Sequence, residues 1–269
     1  MRTTVGIFDS GVGGLTVAEA LHRLEPALPL RYVADTASFP YGERPEAVVR
    51  ERTIELARRL LDDGCSLLVV ACNTASSAAL ELLRETFDAP IVGMEPPLKP
   101  AVERSRSGRV AVLVTPATAR GERLARLHDH HADGAVVETV ALAGLAGLVE
   151  DGEIASARVQ RLLRDALAGP LERGVDQVAL GCTHYGFLRP LLEHVVGDAA
   201  QVVDAAEPVA RRARQQLVTH GLALPAGGCA EAVACSVTGD AGAFRAVLGR
   251  LRAAGATLPP IRMLRGAAT

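Results

Sequence analysis

Two of the five cysteines occupy matching positions in the sequence, and their side chains are candidates for proton transfer. Cys72 lies eight residues after Gly64, and Cys182 lies eight residues after Gly174, with an apolar run between glycine and cysteine in both cases. A thiol has an ordinary pKa of about 8.5, and a helix N-terminus lowers it. Two thiols on opposite sides of a carbon that bears an acidic hydrogen can therefore invert that carbon, one as base and the other as acid.

Polar residues stand near both cysteines and extend this hypothesis. Asp9 follows an apolar run at the start of the chain, and His184 comes two residues after Cys182. We expect Asp9 to take a proton from one thiol and His184 to serve the other, because both groups can act as acid and base. A cysteine outside such a setting is more often a small buried apolar residue. That interpretation applies to Cys65, Cys229 and Cys235.

Three turns carry residue types that bind carboxylates: Ser10-Gly11, Asn73-Thr74 and Thr183-His184. Each is predicted to begin a helix, where backbone N–H groups bind anions. No arginine lies in these turns, so dipoles and hydroxyl groups would hold a substrate carboxylate. The alternative is ordinary N-capping by Ser10, Asn73 and Thr183, and the two roles are compatible.

Short apolar runs alternate with longer segments of helical period, and this alternation predicts an α/β protein. In parallel α/β sheets, ligands bind beyond the carboxyl ends of the strands, where the candidate residues fall. The predicted strands are 5–8, 30–34, 67–71, 110–114, 177–180, 202–204 and 232–237. The predicted helices after the first, which ends at Leu24, include 46–63, 120–131, 155–171, 207–220 and 241–254.

The repeated glycine–strand–cysteine unit indicates two related halves, in which Asp9 and Thr115 hold equivalent places. We predict two pseudo-symmetric three-layer α/β domains whose mostly parallel sheets face each other across an interdomain cleft. The first domain comprises 1–95 plus 209–269 and carries Asp9 and Cys72. The second comprises 96–208 and carries Cys182 and His184, with the proline-rich segment 96–100 as a hinge.

Two other motifs could suggest cofactor or metal sites. Gly11-Val12-Gly13-Gly14, with Asp35 some twenty residues later, resembles a dinucleotide fingerprint, but the third glycine is replaced by Thr16. His128-Asp129-His130-His131 closes a predicted amphipathic helix in a polar stretch. We interpret it as a solvated helix end and predict no metal.

The composition narrows the classes of protein further. The 269 residues carry a net charge of −2, which gives no basic surface for nucleic acid or an anionic membrane. No signal peptide or membrane span is recognisable, and the widely spaced cysteines suit reduced thiols in a cytoplasmic protein. Lys99 is the only lysine, which argues against pyridoxal phosphate bound as a Schiff base.

Four motifs, in this order, resemble the cofactor-independent aspartate/glutamate racemase family. They are Phe8-Asp9-Ser10-Gly11-Val12-Gly13-Gly14-Leu15-Thr16, Pro40-Tyr41-Gly42, Ala71-Cys72-Asn73-Thr74-Ala75 and Gly181-Cys182-Thr183-His184-Tyr185. Gly93-Met94-Glu95-Pro96 is also similar to the junction between the family's domains. The resemblance covers nearly the whole chain and implies the two-domain fold predicted above.

The resemblance implies interconversion of L- and D-glutamate without a cofactor, supplying D-glutamate for peptidoglycan. It makes Cys72 the base for the D-enantiomer and Cys182 the base for the L-enantiomer, assisted by Asp9 and His184. The implied substrate-binding residues are Asp9, Ser10, Tyr41, Gly42, Asn73, Thr74, Thr183 and His184. Asp35, Thr118 and Glu150 are auxiliary candidates. Members of the family are often dimers, so the resemblance also allows a homodimer.

The sequence departs from the family in two places. Leu142-Ala143 replaces a common Cys-Pro pair before Glu150, and Gly186 replaces the proline after Cys-Thr-His-Tyr. We expect both changes to loosen the wall of the cleft without removing an acid, a base or a substrate contact.

Three alternatives stay open at this point. The chain could racemise aspartate or another amino acid, because the shape of the cleft determines which length of substrate side chain is accepted. It could be a thiol lyase or hydrolase that uses Cys182 as nucleophile with His184 beside it. It could also be a binding module that has lost turnover.

Overall fold

The computed structural model describes residues 3–132, 134–225 and 230–264. Cys229 lies outside these residues, whereas Cys65, Cys72, Cys182 and Cys235 are buried free thiols. Within the described ranges, no helix is long and apolar enough to cross a membrane.

In the described ranges, ten strands form two sheets, and every strand pairing recorded there is parallel. The strands are β1 (Val5–Asp9), β2 (Leu30–Ala34), β3 (Leu67–Val70), β4 (Ile91–Gly93), β5 (Arg109–Val114), β6 (Val136–Ala141), β7 (Gln177–Leu180), β8 (Gln201–Val203), β9 (Val233–Val237) and β10 (Ile261–Met263). The first sheet has the order β10-β9-β2-β1-β3-β4, and the second has the order β6-β5-β7-β8.

Eleven α-helices lie between the strands of the described chain. They are α1 (Leu15–Leu24), α2 (Glu46–Asp62), α3 (Asn73–Thr86), α4 (Leu98–Arg104), α5 (Pro116–Arg120), α6 (Glu122–His131), α7 (Leu145–Glu150), α8 (Ala157–Glu172), α9 (Arg189–Val196), α10 (Ala206–Thr219) and α11 (Ala241–Ala253). Short 3₁₀ turns form at Tyr41–Glu43, Thr183–Leu188 and Gly197–Ala199.

The two sheets repeat one topology, which confirms the predicted pseudo-symmetric α/β architecture. The order β2-β1-β3-β4 in the first half matches β6-β5-β7-β8 in the second. Gly64 after α2 and Gly174 after α8 have φ values of 85° and 87°. A left-handed residue at this place ends a helix, and glycine adopts it without steric cost. The equivalent glycines therefore end the two helices just before the strands that lead to Cys72 and Cys182.

Apolar packing on both faces makes each half three-layered. In β1, Ile7 packs in a core with α1 and α10, while Phe8 on the other face packs with α2 and α3. In β5, Leu113 packs toward α8 and α9, while Val112 packs toward α4 and α6. Strands buried on both faces read as continuous apolar runs, which is why the sequence predicts them well.

The tail of the chain returns to the first sheet. β8 pairs with β7 in the second sheet, whereas α10 packs on α1 and β9 pairs with β2. The predicted division at 208/209 falls in the first turn of α10. The domain limits of 1–95 plus 209–269 and 96–208 stay a prediction.

The proposed hinge at 96–100 lies between the two sheets and stays a prediction; α4 begins within it, at Leu98, and holds Pro100 in its first turn, where a missing N–H costs nothing. One local expectation is wrong. The turn expected at 115–118 is the start of α5, which the Thr115 side chain caps.

Candidate active site

The candidate residues meet in a small cavity at the carboxyl ends of β1, β3 and β7. The cavity has a volume of about 60 Å³ and takes its walls from both halves. Both thiols that line it are less than a tenth exposed. The lining residues are Ser10, Phe39, Pro40, Tyr41, Gly42, Glu43, Cys72, Asn73, Thr74, Thr115, Pro116, Leu142, Gly144, Ala146, Gly147, Cys182, Thr183 and His184.

Asp9 lies behind the wall of this cavity, against Cys72. Its carboxylate is fully buried and accepts hydrogen bonds from the Gly14 N–H at 2.6 Å and the Thr183 hydroxyl at 3.3 Å. The Cys72 thiol donates to the same carboxylate. Burial raises the pKa of Asp9, although the charge of His184 and the hydrogen bonds from Cys72 and Gly14 oppose the shift. Asp9 is therefore a better base than an exposed aspartate.

Burial is also the main influence on the pKa of the Cys72 thiol. It raises the pKa of Cys72 well above the ordinary value, and the negative charge of Asp9 raises it further. Burial therefore disfavours the ionised form of both partners. This is the local arrangement that the sequence predicts for one thiol and Asp9.

His184 pairs with the second thiol. Its Nδ1 lies 3.9 Å from Cys182 Sγ, and its Nε2 lies 2.7 Å from Glu150 Oε1. Burial by itself lowers the pKa of the ring, but the hydrogen bonds to Cys182 and Glu150 and the charge of Asp9 outweigh it. The net effect raises the pKa of His184 well above the ordinary value, which favours a charged ring.

Glu150 joins the two halves at this point. The same Oε1 atom that contacts His184 accepts the Val12 N–H at 2.6 Å. Gly11 leaves room for the carboxylate, because a Cβ at Gly11 would lie 1.8 Å from Glu150 Oε1. The backbone N–H groups of Val12 and Gly14 are thus committed to carboxylates, which contradicts the dinucleotide-binding interpretation of this turn.

Asn73 is placed to receive a ligand. Its side chain is 3% exposed, and its amide nitrogen and oxygen have no hydrogen-bond partner among the described residues. A buried amide without partners is costly, so such a group in a cavity wall points to a polar ligand.

The expected N-caps are wrong. The helix of Asn73 begins one residue earlier than assumed, so its N-cap is Cys72, and the turn of Thr183 is likewise capped by Cys182. The N-cap of α1 is Gly14, not Ser10. None of these helix starts uses a side-chain cap.

Asp35 does not line the cavity but anchors one of its walls. Its carboxylate accepts hydrogen bonds from the Tyr41 hydroxyl at 2.6 Å, the Thr238 hydroxyl at 2.7 Å, and Arg52 at 2.7 and 3.1 Å. Burial alone would raise the pKa of this carboxyl group, but the hydrogen bonds, those of Arg52 first, outweigh burial and lower it. The tyrosine of Pro40-Tyr41-Gly42 is thereby fixed at the cavity.

We expect Asp35→Asn to destabilise the protein by about 1.5–3 kcal/mol at pH 7, because it removes charge-assisted hydrogen bonds. The native pKa of Asp35 lies below its unfolded value of about 3.9. Its stabilising effect is therefore complete above about pH 5 and is lost as the pH falls through the unfolded value and then through the native pKa. Urea unfolding between pH 7 and pH 3 should show that the free energies of unfolding of the wild type and the variant approach each other as the pH falls.

The control is Asp63→Asn, which breaks the exposed pair with Arg31 and should cost less than about 1 kcal/mol. An Asp35→Asn effect that is constant across this pH range would contradict the account.

Thr118 does not line the cavity that holds the two thiols and lies behind Thr115. The hydroxyl groups of Thr74, Thr115 and Thr118 contact one another at 3.1 to 3.3 Å. Thr115 lines the cavity but was not predicted to do so, although its equivalence to Asp9 was a usable signal. Phe39 was not predicted either; its ring centroid lies 5.5 Å from that of His184, with the two planes tilted by 45°.

The two departures from the family fall in different places. Leu142 lines the cavity, together with Gly144, Ala146 and Gly147. Gly186 does not, so the expectation that it loosens the cleft wall is wrong. A Cβ at Gly186 would face Thr16 and Asp204 at 3.1 and 3.2 Å, and neither residue lines the cavity.

The only lysine, Lys99, and the histidine-rich end of α6 were considered above for a cofactor and a metal. Lys99 is exposed on α4 near Glu103 and does not line the cavity. Over the described ranges, no group of three or more His, Cys, Asp or Glu side chains is placed to hold a metal ion. His130 Nδ1 instead contacts the Arg126 carbonyl within its own helix.

Comparisons with known proteins agree with this geometry. A glutamate racemase from Roseiflexus sp. (strain RS-1) is 43% identical over 248 residues, covering 92% of this chain and 91% of that protein. The Escherichia coli glutamate racemase, solved with L-glutamate and the activator UDP-MurNAc-Ala, gives a TM-score of 0.81 at 33% identity, covering 93% of this chain and 96% of that one. The Thermus thermophilus glutamate racemase, solved with β-chloro-D-alanine, gives a TM-score of 0.79 at 36% identity, covering 98% and 97%.

A profile of one enzyme family matches most of the chain, over residues 15–213. The match begins just after the glycine-rich turn and includes both cavity cysteines. The chain belongs to the Asp/Glu/hydantoin racemase family.

Proposed function

We propose that the protein is a glutamate racemase that interconverts L- and D-glutamate by proton transfer between two cysteines. The observation that carries the proposal is the presence of two thiols in one enclosed cavity, each with its own acid–base partner. Cys72 is paired with Asp9, and Cys182 is paired with His184. The similarity to glutamate racemases over more than nine-tenths of the chain supports glutamate as the substrate.

In the L-to-D direction, the Cys182 thiolate removes the Cα hydrogen of L-glutamate as a proton. The electron pair left on Cα is delocalised into the α-carboxylate. The Cys72 thiol donates its proton to the opposite face of Cα, which gives D-glutamate with no change in oxidation state. In the D-to-L direction, Cys72 is the base and Cys182 is the acid.

Each turnover leaves the two sulfurs in exchanged protonation states, so the protons must be redistributed. After a D-to-L turnover, Asp9 can accept the proton that Cys72 has gained, because burial raises the pKa of the carboxyl group, and His184, held by Glu150, can return a proton to Cys182. After an L-to-D turnover both transfers run in reverse: Cys182 gives its proton to His184, and Asp9 returns a proton to Cys72. Two buried acid–base pairs therefore suit a reaction that runs in both directions.

Substrate carboxylates would be held without arginine. The unpartnered Asn73 amide offers both a donor and an acceptor inside the cavity. The backbone N–H groups at the start of α3 and of the 3₁₀ turn at Thr183–Leu188 favour a negative charge. Hydroxyl groups of Ser10, Thr74 and Thr183 complete the proposed binding set.

The cellular role follows from the proposed activity. We infer that the product D-glutamate supplies peptidoglycan synthesis and that the protein works in the cytoplasm, where its four described free thiols would stay reduced. Nucleic acid and membrane are not expected partners, and the homodimer stays a prediction from the family resemblance.

Incubation with L-glutamate in deuterated water tests the proposal directly. We expect D-glutamate that carries deuterium at Cα, formed by cofactor-free protein, and the same exchange starting from D-glutamate. A parallel reaction with L-aspartate measures substrate preference, and we expect it to be the slower one. Folded protein that neither exchanges nor inverts glutamate would reject the proposal, whereas a covalent adduct at Cys182 with Cys72 dispensable would favour a thiol lyase or hydrolase.

A further inference from the structure

A second cavity, of about 210 Å³, lies directly beside the catalytic cavity. Both are lined by Thr74, which forms part of the wall between them. The residues around this second cavity come from both halves of the molecule. They are Arg44, Pro45, Glu46, Val49, Thr74, Ser77, Ala78, Ala117, Thr118, Arg120 and Gly121.

The wall between the cavities consists of contacts that can part. Thr74, from the first half, lies 3.3 Å from both Thr115 and Thr118 of the second half, measured between hydroxyl oxygens. Good O–H···O hydrogen bonds are shorter, at about 2.7–2.8 Å. A small separation of the halves would break these contacts and join the two cavities.

Two arginines give the second cavity a positive charge. Arg44 follows the Pro40-Tyr41-Gly42 segment of the first half, and Arg120 ends α5 in the second half. Within the described residues neither has a carboxylate partner, and Arg44 donates only to the Ser38 carbonyl, at 3.4 Å. Glu46 also faces this cavity, but it is paired with Arg50.

We propose that this second cavity is the vestibule through which the substrate reaches the two thiols. Arg44 and Arg120 attract an amino acid with two carboxylates to the mouth, and the threonine wall opens to admit it. The inference rests on the proposed function, since it takes its ligand from there. It explains how a substrate reaches enclosed thiols although no described arginine lines their cavity.

The expected effect follows from Coulomb's law. In water at low salt, a unit charge about 10 Å from a singly charged anion changes its local concentration about twofold. Glutamate carries a net charge of −1 at neutral pH, so Arg44→Gln/Arg120→Gln should lower kcat/KM about fourfold. Arg44→Glu/Arg120→Glu changes four unit charges and should lower kcat/KM about sixteenfold. In both variants kcat should stay unchanged, because neither arginine touches the thiols.

The matched control is Arg161→Glu/Arg164→Glu. These exposed arginines of α8 line neither cavity, and their reversal changes the net charge by the same amount. Steady-state rates are measured at about 20 mM and about 500 mM salt, where the Debye length falls from roughly 20 Å to a few Å. We expect the vestibule variants to approach the wild type at high salt and the control to match it throughout.

Two outcomes would overturn the inference: unchanged kcat/KM in the vestibule variants, or an equal loss in the α8 control. Thermal melts of all variants show whether any loss comes from unfolding. If the wild type does not racemise glutamate, the proposed function fails separately. L-glutamate binding by calorimetry then tests the vestibule, with weaker, salt-dependent binding expected only in the Arg44 and Arg120 variants and equal affinity counting against it.

Discussion

Cys72→Ala and Cys182→Ala should each lower racemisation by about 10²–10⁴-fold, because each removes one of the two groups that transfer a proton at Cα. The remaining thiol still has its own partner, Asp9 or His184. It can therefore remove and return a proton on one face without inversion. By the family roles, Cys72→Ala should keep slow Cα exchange with L-glutamate, and Cys182→Ala should keep it with D-glutamate. Proton NMR in deuterated water measures exchange, and a chiral assay measures inversion.

Cys65→Ala is the control for loss of a buried thiol. Cys65 is also nearly buried, but it packs in the core under α2 and lies outside the catalytic cavity. It should lose some stability and keep its turnover. Full racemisation in either cavity variant would reject the two-thiol mechanism. Identical exchange of both enantiomers in one variant would reject the assignment of one thiol to each face.

Gly13→Ala should lower kcat/KM by about 10²-fold or more while the protein stays folded. A Cβ at this position would lie 2.5 Å from His184 Nδ1, 2.5 Å from Thr183 Oγ1 and 2.8 Å from Asp9 Oδ2. One methyl group would therefore push apart the partners of both thiols, and displacements of about 1 Å can cost such a factor. Overpacking of this kind costs about 1–3 kcal/mol of stability.

Gly249→Ala provides the matched control. Gly249 lies inside α11, and a Cβ there would meet no atom within 4 Å. Alanine should stabilise this helix by up to about 1 kcal/mol and leave the kinetics unchanged. Steady-state kinetics and urea unfolding of both variants separate loss of geometry from loss of fold. Wild-type kcat/KM in folded Gly13→Ala would show that the close packing of Asp9, Thr183 and His184 is not needed for turnover.

The elements that the sequence predicted correctly are those with strong local signals. Strands Leu30–Ala34 and Gln177–Leu180 have the bounds expected from their apolar runs. Three other strands escaped prediction. β6 is partly exposed along its whole length, while β4 and β10 have three residues each. Edge or short strands need less apolar surface, so their residues do not stand out from the surrounding loops.

Much of the candidate site was also predictable from the positions of its residues directly after predicted strands. Each candidate residue that follows a strand must lie at the carboxyl edge of its sheet, because parallel strands end on one side. This reasoning predicted that Asp9, Cys72 and Cys182 share one region. It could not predict that Asp35 anchors Tyr41 and stays outside the cavity, since that depends on Arg52 and Thr238.

The sequence by itself determined the two halves, the strand ends and the two thiols with their polar neighbours. Only the tertiary structure decided how the halves meet. The hydrogen bonds from Val12 to Glu150 and from Thr183 to Asp9 span 138 and 174 residues. Local propensity acts over a few residues and carries no information on such pairs. Their formation depends on the packing of one sheet with its helices against the other, and that packing encloses the thiols and sets the vestibule beside them.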